Sequence, residues 1–107
     1  MEICIAYVKN KPVMLKWDEG LISINGEVLA IKGITLEILK EFSDSIASIP
    51  YTTDQEGYQA LINAKRTVFL SLLLGHAVGD DCINKITDIL NSVHYDVLLY
   101  LGEVQED

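Results

Sequence analysis

The chain has 107 residues, half of them apolar, and a formal net charge of −8. That length supports one hydrophobic core without metal or disulfide staples, and the apolar content excludes a disordered acidic segment. The charge argues against direct nucleic-acid binding, because affinity for phosphate backbones comes mostly from Lys and Arg.

No apolar run approaches the roughly 18 residues of a membrane span, so no membrane association is expected. The first residues, MEICIAYVKNK, lack the basic start, apolar core and cleavage site of a secretory signal, and the expected location is cytoplasmic. Cys4 and Cys82 form no C-x-x-C pair, so both are expected to be reduced and packed.

Residues 2–8, EICIAYV, are apolar on both alternate sets and bounded by Lys9-Asn10-Lys11-Pro12. This pattern predicts a strand covered on both faces, inside the sheet. Residues 13–17 form a second strand, and Asp18-Glu19-Gly20 supplies a three-residue turn whose glycine takes the left-handed conformation. Two more strands lie in LISINGEVLAI around Asn25-Gly26, the strongest short hairpin signal, since a type I′ turn needs positive φ at both central residues. A two-residue loop there pairs Ile24 with Glu27 and Ile22 with Leu29, placing Ile22, Ile24, Leu29 and Ile31 on one face.

Gly33 breaks the alternation, and the period lengthens to about three and a half residues. Thr35 is positioned to cap a helix with Leu39, Phe42, Ile46 and Ile49 in its stripe, ended by Pro50. Thr53 with Glu56 three residues on has capping-box spacing, and opens a second helix running to Gly79. In it Tyr58, Leu61, Ile62, Val68, Phe69, Leu72 and Leu73 form one stripe, interrupted only by Lys65. From Val68 to Leu74 the opposite side is apolar too, which predicts cover all round.

Asp80 or Asp81 then caps a third helix almost without a connection, with Ile83, Ile86, Leu90, Val93, Val97 and Tyr100 in a heptad-like seam. Tyr95–Leu101 also has strand composition, with Asn91-Ser92 as an alternative break, but helix is the favoured reading. Residues 102–107, GEVQED, read as a frayed acidic tail. The expected fold class is α+β: a single domain over 1–107, with a four-stranded antiparallel meander (1–32) packed against three helices (35–101).

Residues 1–32 are electrically neutral, and the imbalance lies in the twelve carboxylates and four cations that follow. Glu37, Asp54, Glu56, Asp80 and Asp81 sit at predicted helix starts, where each stabilises the helix dipole by about 0.3 to 1 kcal/mol. Glu41, Asp44, Asp88, Asp96, Glu103, Glu106 and Asp107 remain for an acidic surface facing solvent or a basic protein. Small acidic proteins that block nucleic-acid enzymes, including phage-encoded inhibitors, share this composition, but no motif carries the comparison further.

The one cluster with chemical potential runs from Gly75 to Cys82 and is joined by His94 and Asp96. His76, Asp80, Asp81, His94 and Asp96 are candidate metal ligands, with His76 and Asp80 on one face if the helix continues past Gly79. His76, Cys82 and His94 are the candidate catalytic groups. Two neighbouring aspartates oppose a Cys82 thiolate, and His76 near a helix end also fits a structural role. No P-loop, Rossmann glycine pattern, G-x-S-x-G or H-E-x-x-H occurs, and no cofactor is expected.

Lys65-Arg66 is the only adjacent basic pair, suited to an internal ion pair or to anion binding. The leading functional expectation is a non-catalytic interaction module that makes a homodimer or docks on another protein. The alternatives are a metal-binding protein or small hydrolase using the His76 cluster, and an acidic inhibitor.

Overall fold

Three two-residue turns organise the N-terminal half of the computed structural model. The model describes the backbone of residues 1–50 and 54–101 and the side chains of residues 1–50 and 54–93. Lys9-Asn10, Glu19-Gly20 and Asn25-Gly26 all have positive φ at both positions, the condition for type I′ hairpins. They connect β1 (Glu2–Val8), β2 (Lys11–Asp18), β3 (Leu21–Ile24) and β4 (Glu27–Leu29) into an antiparallel sheet of order β1-β2-β3-β4. The second turn is thus one residue shorter than expected, because Asp18 pairs with Leu21. Pro12 is tolerated in β2 because β3 pairs only with Leu15–Asp18 and leaves the start of β2 without a strand on that side.

β1 lies at the edge of the sheet, not inside it. Its two apolar sets have a different cause. The register shifts between Cys4↔Met14 and Ala6↔Val13, leaving Ile5 as an extra residue in a bulge. The bulge changes the alternation, so Ile3 before it, Ile5 within it and Ala6 and Val8 after it all pack toward the core. Tyr7 is consequently left exposed.

On the other strands Val13, Leu15, Ile22 and Ile24 are buried on one face, and the pairs Ile22↔Leu29 and Ile24↔Glu27 hold as the Asn25-Gly26 turn requires. Helix α1 (Leu36–Ala47) begins where the Thr35 hydroxyl accepts the Ile38 N–H at 3.3 Å. It stops at a Ser48 cap rather than at Pro50, with Ile49 still buried beyond its end. Helix α2 (Gln55–His76) is capped by Asp54, whose carboxylate accepts the Gly57 N–H at 3.1 Å; Thr53, the expected cap, lies outside the described residues.

α2 ends at His76, three residues before Gly79, because residues 77 and 78 leave the helix and, with the His76 carbonyl, pair with the chain after β4. Ile31 bridges Ala77, the Val78 N–H donates to the Ala30 carbonyl at 2.7 Å, and the Lys32 N–H donates to the His76 carbonyl at 3.1 Å. Helix α3 (Asp80–Leu101) follows and includes the backbone of Tyr95–Leu101. Asp80 and Asp81 lie inside its first turn, so neither is the cap; the Gly79 carbonyl accepts the Ile83 N–H at 3.1 Å.

The core side of α3 carries Cys82, Ile86 and Val93, whereas Ile83 is exposed. The side chains of Val97 and Tyr100, and the tail at 102–107, lie outside the described residues. Among the described residues no helix is long and apolar enough to cross a membrane. Sheet and helices share one core through Leu15, Ile22, Leu39, Leu70, Leu73 and Ile86.

Candidate functional site

The junction between α2 and α3 holds four of the residues that the sequence singles out, His76, Asp80, Asp81 and Cys82, and sets His76 apart from the other three. The His76 Nδ1 lies 2.8 Å from the Lys32 carbonyl oxygen. A carbonyl only accepts, so Nδ1 carries the proton and the ring fastens the segment after β4 to the end of α2. Gly33 makes room for this ring: its φ is +83°, and an added Cβ would meet His76 Nδ1 at 3.0 Å.

A donor bond from Nδ1 also orients imidazoles that bind metals through Nε2. Here, however, the helix ends at His76, so the four-residue step to Asp80 does not place the two on one helical face. A hollow of about 440 Å³ beyond the junction is bordered by Asp80, Asp81 and Cys82, and His76 is not among its walls. Among the described residues no three His, Cys, Asp or Glu side chains gather as a metal site. Cys82 is a free thiol, 4% exposed, and packed in the core. The side chains of His94 and Asp96 lie outside the described residues.

The clasp has a thermodynamic signature. Gly33→Ala is expected to cost about 1 to 2 kcal/mol, because an L side chain at this φ is strained and crowds the ring. His76→Ala is expected to cost about 1 kcal/mol for the lost hydrogen bond. The double variant should cost less than the sum, since removing the ring removes the crowding. Urea midpoints of the four proteins measure this, and strict additivity would show that residues 33 and 76 do not touch.

The larger uncovered feature is on α2. Ile62, Phe69, Leu70 and Leu73 are buried, but Leu61, Val68 and Leu72 are 52%, 71% and 40% exposed. The expected cover all round is therefore absent on this side among the described residues. A groove of about 660 Å³ runs here between α1 and α2. Leu61, Lys65, Val68 and Leu72 form one bank, and Ile38, Glu41 and Ser45 lie on the other. Phe42 and Phe69 also line it, stacked with ring centroids 4.1 Å apart.

The chain matches no family model, no curated protein and no solved structure.

Function must then be argued from the surface itself. Along the α2 bank of the groove the exposed Leu61, Val68 and Leu72 and the half-buried Lys65 recur in steps of four, three and four: 61, 65, 68, 72. This is the d-a-d-a spacing of a helix-pairing seam, with Lys65 as the single polar residue at an a-type position. Periodicity alone merges this row with the buried one, because residues 61 and 62, 68 and 69, and 72 and 73 are neighbours around the helix. Only the placement of α1 and the sheet separates them.

The basic pair also divides differently from expectation. Lys65 lines the groove, while Arg66 is the buried one, 9% exposed. The internal ion pair expected here is not formed: among the described residues the only ion pair joins Lys85 of α3 to Glu27 of β4. That pair is solvent-exposed and contributes at most about 1 kcal/mol.

Proposed function

We propose that this chain is a non-catalytic interaction module that acts as a homodimer, with α2 packed antiparallel against α2 of a second copy. The observation that carries the reading is the uncovered seam Leu61-Lys65-Val68-Leu72. Its spacing of four, three and four reads the same in both directions. A two-fold axis between Lys65 and Val68 brings Leu61 against the partner's Leu72 and Lys65 against the partner's Val68. Such a surface meets its own copy in register, as an isologous contact requires.

Charge supports the same occupant. The chain carries −8, yet the groove presents one carboxylate, Glu41, and one ammonium, Lys65, and is neutral. Two copies can approach along it without the repulsion of their remaining acidic surfaces being focused there. The polar Lys65 sets register and lowers affinity, as single polar seam residues do in coiled coils.

Covering Leu61, Val68 and Leu72 on both copies supplies roughly 10 kcal/mol at most. Association itself costs about 4 kcal/mol or more. These bounds leave at most about 6 kcal/mol, so the expected dissociation constant lies between about 40 μM and 1 mM. Sedimentation equilibrium across that range tests the reading: the weight-average mass should rise toward twice the 11.9 kDa chain mass. A mass fixed at one chain up to about 1 mM would reject it.

A further inference from the structure

We infer that the cavity beside Arg66 binds a small carboxylate with a short apolar tail. Arg66 projects from α2 toward the edge strand β1, where its guanidinium carbon lies 5.3 Å from the centre of the Tyr7 ring. It is nine-tenths buried. Among the described residues its Nη1 reaches only Asn63 Oδ1, one helical turn back, at a long 3.4 Å. Its Nε is fully buried and has no hydrogen-bond partner among them.

No carboxylate among the described residues pairs with this cation. A buried guanidinium is ordinarily matched by an anion, because desolvation of an unpaired charge is costly and the Tyr7 face returns only part of it. The missing anion has a place to sit. A cavity of about 350 Å³ adjoins Arg66, with apolar walls from Ile3, Phe42, Ile46 and Ala47.

Two further polar groups border this cavity, and only one of them is free to bind. The Cys4 thiol donates to the Ala6 carbonyl at 3.2 Å, within the bulge of β1. The Ser43 hydroxyl is the other, a donor for one ligand oxygen. The donor set is thus one guanidinium fork and one hydroxyl beside an apolar wall. That set fits a singly charged planar carboxylate held by the fork, with its hydrocarbon end against Phe42 and Ile46. A dianionic phosphate would find one cation and no second donor cluster, so it fits poorly.

Titration of the full chain with hexanoate, followed by amide chemical shifts, tests the assignment. Saturable binding of one hexanoate per chain is expected, with shifts at residues 3–4, 43–47 and 66. Hexanol, which has the same tail without the charge, should bind at least about tenfold more weakly. Arg66→Met, which keeps the stem and removes the fork, should lose about tenfold or more in hexanoate affinity, and Arg66→Lys should fall between the two. Equal binding of hexanoate and hexanol, or unchanged affinity in folded Arg66→Met, would overturn the inference, and so would the absence of saturable hexanoate binding. The hexanoate and hexanol comparison on the native chain decides the matter even where a variant fails to fold.

Discussion

Val93→Asp is expected to leave the chain unfolded in water. Val93 is 1% exposed on the core side of α3, in one cluster with Ile86, Leu70 and Leu73. An aspartate there loses a well-packed apolar side chain and buries a carboxylate among the apolar side chains of that cluster. The desolvation of such a charge costs several kcal/mol, against a total stability of about 5 to 15 kcal/mol for a domain. Loss of far-UV helical signal and collapse of amide dispersion would report the outcome. A folded variant that had merely lost its dimeric mass would place the α3 seam at the interface instead of in the core.

The second large effect separates association from folding. Val68 is 71% exposed, so its replacement should change monomer stability by no more than about 0.5 kcal/mol. In the proposed antiparallel dimer it would face the partner's Lys65, so Val68→Lys would set two pairs of like charges against each other at the centre of the contact. The dimer should weaken about 100-fold or more. Val68→Glu puts an opposite charge in the same place and should weaken it far less. Sedimentation of the two variants at matched concentration compares them. An equal loss in both would contradict the antiparallel register, and no loss in either would remove α2 from the interface.

The parts of this fold that the sequence discloses are those decided locally. Asn25-Gly26 sets the β3–β4 register, and Thr35 starts α1, each through a few adjacent residues. Lys9-Asn10 and Glu19-Gly20 form the same turn type as Asn25-Gly26. Lys and Glu are poor markers of positive φ, however, so the sequence marks a turn at Asp18-Glu19-Gly20 and a boundary at Lys9-Asn10, but the two-residue type emerges only once the strands are paired. The β1 bulge imitates a strand covered on both faces because one extra residue changes the phase of an apolar alternation.

The early end of α2 is hidden for another reason. Its cause is pairing with Ala30–Lys32, more than forty residues away, which no window around Gly79 reveals. The role of His76 follows from the same contact; Gly33, legible in the sequence only as a break in the alternation, has the positive φ that admits the ring. The burial of Arg66 rather than Lys65 is a matter of about 100° of helical rotation. That rotation is fixed by how α1 and β1 pack on α2, so periodicity alone could not assign it.

The most direct test of the central claim is an isotope-filtered NOE experiment on an equimolar mixture of labelled and unlabelled full-length chains, at a concentration where the dimer is populated. Intermolecular contacts are predicted between the methyl groups of Leu61 and Leu72, and between Val68 methyls and the Lys65 side chain. Their absence in a sample of dimeric mass, or intermolecular contacts confined to other surfaces such as Ile83 or Val28, would contradict the α2 interface.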